Sequence, residues 1–269
     1  MKELLVYVLQ IADNALIHGH RLSEWCGHGP ILEQDIAMTN MALDHIGQAR
    51  SLFQYASELY NQLDKATQEE LFSSATLLAY TDNSEEDTLP YLRDAWDFKN
   101  SLLVELPNED WAYTIAKCFF YDHFTVLFYE ALQTVNNEKL AAIAQKSLKE
   151  ALYHRKWSSE WLIRLGDGTA ESNERMQKAL DEYWVYIGDL FESSEADKAL
   201  VASLKVPNLS ELYTKWLLNV TEVVKEATLT VPSNEWRQLG GKEGKHTENL
   251  GYILAEMQFL QRAYPGAQW

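Results

Sequence analysis

Residues 138–165 contain neither proline nor glycine, and residues 32–63 contain one glycine, Gly47, and no proline. Stretches this long without a breaker fit long helices. Apolar residues recur in them every three or four positions, the spacing of one helix face. In the first run the periodic set is Leu32, Ile36, Thr39, Leu43, Ile46, Arg50 and Phe53. In the second it is Leu140, Ile143, Ser147, Glu150, His154, Trp157 and Trp161. The same spacing links Leu4, Val8, Ile11, Ala15, His18, Leu22 and Trp25, and stops at Cys26-Gly27-His28-Gly29-Pro30. It also links Ala112, Ile115, Phe119, Asp122, Val126 and Tyr129, in a helix capped by Asn108-Glu109-Asp110 and expected to run to about Val135. Shorter helices are expected over 68–80, 171–191, 209–227 and 247–263, with an acidic connection at 82–87. Asn136-Asn137 and Gly166-Asp167-Gly168 read as turns. No run alternates with the period of two that a half-buried strand needs. The fold class expected is all-α: an up-and-down four-helix bundle core with additional C-terminal helices, in one domain over 1–269.

Composition narrows the function. At 46% apolar the chain fills one large core. Its net charge of −17, from 23 basic and 40 acidic residues, repels phosphate backbones and anionic lipid, which argues against nucleic acid or a membrane as partner. Cys26 and Cys118 are too few for a disulfide framework and fit reduced thiols of a cytosolic protein. Residues 4–12 are apolar but too short to span a bilayer, and no targeting segment is expected. Nine Trp and fourteen Tyr suit a big core or a partner interface.

Polar residues interrupt the apolar stripes. Glu24, Asp44, Asp122 and Glu150 put one carboxylate on each long helix, and His154 follows Glu150. Burying an unpaired carboxylate costs several kcal/mol. A di-metal carboxylate site would satisfy them, but its template needs a His three residues after two of the acids. Those positions hold Gly47 and Tyr153. His154 lies one step further, about 100° round the helix, and His45 is likewise out of register. Glu243 and His246 do have the Glu-x-x-His spacing, yet glycines flank them before any helix begins, so they read as a turn. The expectation is therefore a metal-free polar core, its acids neutralised by Arg21, Arg50, Lys117 or His154. His18 and His123 read as ordinary core or surface residues, and Cys118 as a packing residue. There is no phosphate loop, nucleophile elbow or zinc-spaced cluster.

Several short pieces together carry a resemblance. They are Glu24-Trp25-Cys26-Gly27-His28, Ala42-Leu43-Asp44 with Gly47-Gln48-Ala49-Arg50, Lys149-Glu150-Ala151 with Tyr153-His154, and Glu226-Ala227-Thr228-Leu229 with Val231-Pro232. The C-terminal block adds Gly240-Gly241-Lys242, His246-Thr247-Glu248, Leu254-Ala255-Glu256-Met257-Gln258, Leu260-Gln261-Arg262, Pro265-Gly266 and Trp269. From near residue 7 to its last residue the chain resembles the C subunits of ring 1,2-phenylacetyl-CoA epoxidases. The resemblance implies a ferritin-like fold, similar to bacterial multicomponent monooxygenases. It implies a structural, non-catalytic role beside an A subunit that carries the di-iron centre. Such a complex uses oxygen, and electrons from a separate reductase subunit, to epoxidise the ring of phenylacetyl-CoA in aerobic phenylacetate catabolism in the cytoplasm. No catalytic, cofactor-binding or metal-binding residue is then expected in this chain. Glu24, Asp44, Asp122, Glu150 and His154 would be vestiges of a polar core. The alternative is a stand-alone ferritin-like metalloenzyme with an atypical metal site, and metal content separates the two.

Overall fold

The helices that periodicity marks are present, and capping side chains fix where most of them start. In the computed structural model, which describes residues 1–264 and 267, α1 spans Lys2–Ser23 and α2 spans Leu32–Tyr60. Gly27, at φ +88, reverses the chain between them, and Asp35 holds the turn by accepting from the amides of Gly27 (2.7 Å) and Gly29 (3.3 Å). A crossover follows, with the short helices α3 (Lys65–Leu71), α4 (Ala75–Leu78), α5 (Thr88–Leu92) and α6 (Leu102–Glu105). The second hairpin is α7 (Trp111–Leu132), capped by Asp110, and α8 (Glu138–Gly166), capped by Asn137. The chain continues through α9 (Ala170–Phe191), α10 (Glu195–Leu204), α11 (Leu209–Glu226), α12 (Glu248–Met257) and α13 (Phe259–Ala263). No strand occurs among the described residues. The Pro265-Gly266 and Trp269 pieces of the resemblance lie outside the described residues.

The two hairpins pack through α2 and α8 into a four-helix core. Within each hairpin the helices run up and down. Between hairpins the chain takes one long crossover, as ferritin-like bundles do. Helices α9 and α11 cover α7 and α8, and α10 lies on α1. The tryptophans mostly cement these layers. Trp216 is fully buried, donates to the Phe120 carbonyl at 3.1 Å and meets the rings of Phe120, Trp184 and Phe191. Trp111 packs on Trp25, Trp157 and Trp161, and the last two both donate to Gln34.

Buried charge fastens the crossover. The Arg93 guanidinium pairs with the Asp13 carboxylate of α1, both wholly buried, and also donates to the carbonyls of Leu89 and Asp97. It lies 4.2 Å from the centroid of the Phe98 ring.

Three local expectations need correction. The segment expected as one helix over 68–80 is broken into α3 and α4, because Asp97 captures the amides of Ser73 and Ser74 between them (2.7 and 3.0 Å). The segment over 247–263 divides at Gln258, whose side chain donates to the Pro90 and Arg93 carbonyls. The third correction is larger. On α2 most of the stripe expected in the core faces outward: Leu32, Ile36 and Leu43 are 70%, 52% and 64% exposed and Arg50 is exposed too, while Thr39 and Ile46 are half-buried and Phe53 alone is buried. The buried face is Met38, Met41, Ala42, His45, Ala49 and Leu52. The helix is apolar on two faces, and periodicity does not say which one meets the core.

Candidate functional site

Each of the four long helices delivers one polar side chain to the middle of the bundle. These are His18 from α1, His45 from α2, Asp122 from α7 and His154 from α8, none more than 1% exposed. Gly19 lets α1 and α2 approach closely beside this point, since a Cβ there would stand 3.2 Å from His45 Cβ and 3.3 Å from the Ala42 carbonyl. The rings of His18 and His45 have centroids 4.8 Å apart, nearly perpendicular, and His45 and His154 are also 4.8 Å apart. The Tyr121 ring closes one side, 4.6 Å from His18. One donor atom each from His18, His45 and Asp122 lie within 4.8 Å of one another.

These groups are short of partners. Among the described residues, neither ring nitrogen of His18 or His45 has a hydrogen-bond partner, nor does either carboxylate oxygen of Asp122, nor His154 Nδ1. Each unsatisfied buried polar group costs about 1–3 kcal/mol. Burial pushes the Asp122 carboxyl up to about 7, while His154 pulls it back. The Ser158 hydroxyl is not hydrogen-bonded to it and donates instead, weakly, to the Arg155 carbonyl at 3.4 Å. Burial also holds His18 and His45 well below the usual histidine range, with Lys117 and His154 adding to the effect on His18, and His18 and His154 on His45. Both imidazoles are therefore neutral at pH 7 and keep a lone pair.

Of the five polar positions read from the sequence, two reach this cluster: Asp122 and His154. The other three do not. Glu24 lies past the last turn of α1, exposed, and binds Arg21 through both oxygens at 2.8 and 2.7 Å. Asp44 is half-buried at the bundle edge, where its Oδ2 meets His154 Nε2 at 3.0 Å. Glu150 is half-buried and accepts from Gln48 at 2.8 Å, and Gln48 accepts from the Tyr129 hydroxyl at 3.1 Å. Two of the expected pairings occur, Arg21 with Glu24 and His154 with Asp44, but no Arg or Lys side chain bonds Asp122 or Glu150 among the described residues. Arg21 donates to the Glu105 carbonyl as well as to Glu24, Arg50 pairs with Glu86, and Lys117 donates to the Leu106 carbonyl at 2.7 Å. His18 and His45 are the members that sequence reasoning missed. His18 already stood on the apolar stripe of its helix, which is the signal that could have found it. His45 was hidden by the choice of the outward stripe on α2.

Glu243 and His246 do not converge. Glu243 sits in a single 3-10 turn, exposed, and Gly244 at φ +81 follows it. His246 turns inward to Glu105 (Nδ1 to Oε2, 2.9 Å) and to the Phe98 carbonyl at 3.0 Å.

A carboxylate-bridged di-iron centre needs acids from all four helices. The cluster offers three imidazoles and one carboxylate, Asp122, so its donor set does not fit that centre.

The family model described as "Phenylacetic acid catabolic protein" matches residues 1–269. The chain is also similar to the C subunit of the 1,2-phenylacetyl-CoA epoxidase of Escherichia coli (strain K12). The two are 42% identical over 269 residues, which is 100% of each chain.

Proposed function

The chain belongs to the phenylacetic acid catabolic protein family, and on that premise we propose that it is the structural, non-catalytic subunit of a cytoplasmic phenylacetyl-CoA epoxidase. In this reading the di-iron centre belongs to a homologous A subunit, a reductase subunit supplies electrons, and this chain holds the A subunit in its active form.

The observation that carries the reading is the outward apolar stripe of α2. Leu32, Ile36 and Leu43 fall within about 40° of one another around the helix, and all are exposed. Leu152 and Tyr153 are exposed on α8, next to His154, which Asp44 ties to α2. Apolar surface ordered along a helix is a docking face. A second copy of this chain is a poor occupant, because two molecules at −17 each repel. A different subunit of the same complex fits better.

The test is co-expression with the A subunit, using the wild type and a variant carrying Leu32→Asp, Ile36→Asp and Leu43→Asp. The variant is expected to keep its helicity and melting temperature while losing co-elution with the A subunit and most epoxidation. A heteromer that survives all three substitutions overturns the interface. Epoxidation by this chain without an A subunit overturns the structural role and restores the stand-alone metalloenzyme.

A further inference from the structure

We propose that His18, His45 and Asp122 form a mononuclear structural site for a divalent metal ion of the zinc class, with His154 as the fourth ligand. The site is independent of which partner the chain binds.

Four observations carry it. The first is geometry. Donor atoms around a tetrahedral ion, with bonds of about 2.0–2.1 Å, stand about 3.3 Å apart. Those of His18, His45 and Asp122 lie within 4.8 Å of one another, while His154 stands outside that set with its ring centroid 4.8 Å from that of His45, so binding requires the four side chains to draw together. The second is the run of unpartnered atoms: both nitrogens of His18, both of His45, both oxygens of Asp122 and Nδ1 of His154. Cores satisfy their buried polar groups, and one ion would engage a donor on each of the four side chains at once. The third is charge. Arg21, Arg50 and Lys117 bond other groups, leaving the buried carboxylate without a cation among the described residues. A divalent ion supplies that charge. The fourth is orientation. Asp44 holds His154 at Nε2 (3.0 Å), which leaves Nδ1 free on a ring 4.8 Å from His45. A carboxylate fixing the far nitrogen of a histidine is the usual outer support of a metal ligand.

Ligand type then selects the ion. Imidazole with carboxylate suits zinc, iron, cobalt and nickel, and a closed set of four protein ligands is the mark of a structural rather than a catalytic site. The ion would clamp α1, α2, α7 and α8 together at mid-bundle.

The full chain is purified, unfolded with chelator, and refolded with and without Zn²⁺ or Co²⁺. About one ion per chain is expected after desalting, together with a higher melting temperature than the chelated protein has. The Co²⁺ form is expected to show the intense visible bands of a four-coordinate ion. His18→Leu and His45→Leu together are expected to abolish binding and to make the melting temperature indifferent to chelator. No retained ion, two ions per chain, or binding unchanged in the double variant would each overturn the site. Should the double variant not fold, the Co²⁺ spectrum of the wild type decides alone: weak octahedral bands reject the site.

Discussion

A single buried side chain shows how far local sequence carries an energetic argument. Lys117 is fully buried, and burial lowers its ammonium to about 7, with Arg21 adding to the effect. The unfolded chain keeps the usual value near 10.5. Between those values the unfolded state holds a proton that the folded state lacks, so stability rises with pH. Cys118 opposes this above pH 9, since burial raises its thiol and the folded state then holds the extra proton. Asp122, raised to about 7, also opposes it until its folded-state titration is over, about a unit higher. The clean window is therefore about pH 8 to 9, where the melting temperature is expected to climb and where Lys117→Met is expected to flatten the climb. A profile with the same slope in both proteins would refute the assignment. Asp13 and Glu150 form a second contrast. Removing one partner of a buried ion pair costs roughly 3–5 kcal/mol, and that is the loss expected for Asp13→Ala, which strands Arg93. Glu150→Ala removes one hydrogen bond from a half-buried acid, and the expected loss is about 1 kcal/mol. Urea denaturation of both variants checks the ranking. The sequence pointed to Glu150 because it interrupts a stripe. It could not point to Asp13, whose partner lies 80 residues away.

Among the elements, the long helices were legible almost to their ends, because period and capping residues agree. Asp110, Asn137 and Thr169 cap where the helices begin. The orientation of α2 was not legible, because both its faces are apolar, and that ambiguity also concealed His45. Gly47 turns the orientation into a measurement. It lies within about 40° of the exposed stripe, and a Cβ added there would meet nothing within 4 Å. In a helix interior Gly→Ala gains about 0.5–1 kcal/mol, so Gly47→Ala is expected to raise the melting temperature of the isolated chain. If the A subunit packs on this face, the same methyl group weakens the heteromer, read as a faster dissociation rate. A variant that stabilises the chain and leaves dissociation unchanged moves the interface away from α2. Gly166 is the opposite case. Its Cβ would stand 2.2 Å from the Ala227 carbonyl, so Gly166→Ala is expected to destabilise by forcing α8 and the end of α11 apart.

For the molecule as a whole, each hairpin could be read from the sequence because its helices are adjacent in the chain. The crossover between the hairpins could not. Its fastening depends on Arg93 reaching α1, and on Glu105 receiving His246 and the Thr247 amide from the far end of the chain. The central cluster escaped for the same reason, since four helices give one residue each and spacing along one helix reports none of the distances between them. The consequence for function lies in where the acids went. A chain that performed oxygen chemistry with bridging carboxylates would need them at mid-bundle, but Glu24 pairs with Arg21 beyond α1 and Glu150 bonds Gln48 at the edge. Glu24→Gln and Glu150→Gln, each tested in the assembled epoxidase, are therefore expected to leave kcat within about threefold of wild type, with any loss appearing in assembly instead. A thousandfold fall in kcat, about 4 kcal/mol of lost transition-state stabilisation, with assembly and KM unchanged, would put catalysis in this chain. Only an acid that touches the reacting centre loses so much on conversion to its amide, so the size of the loss separates a catalytic role from a role in assembly.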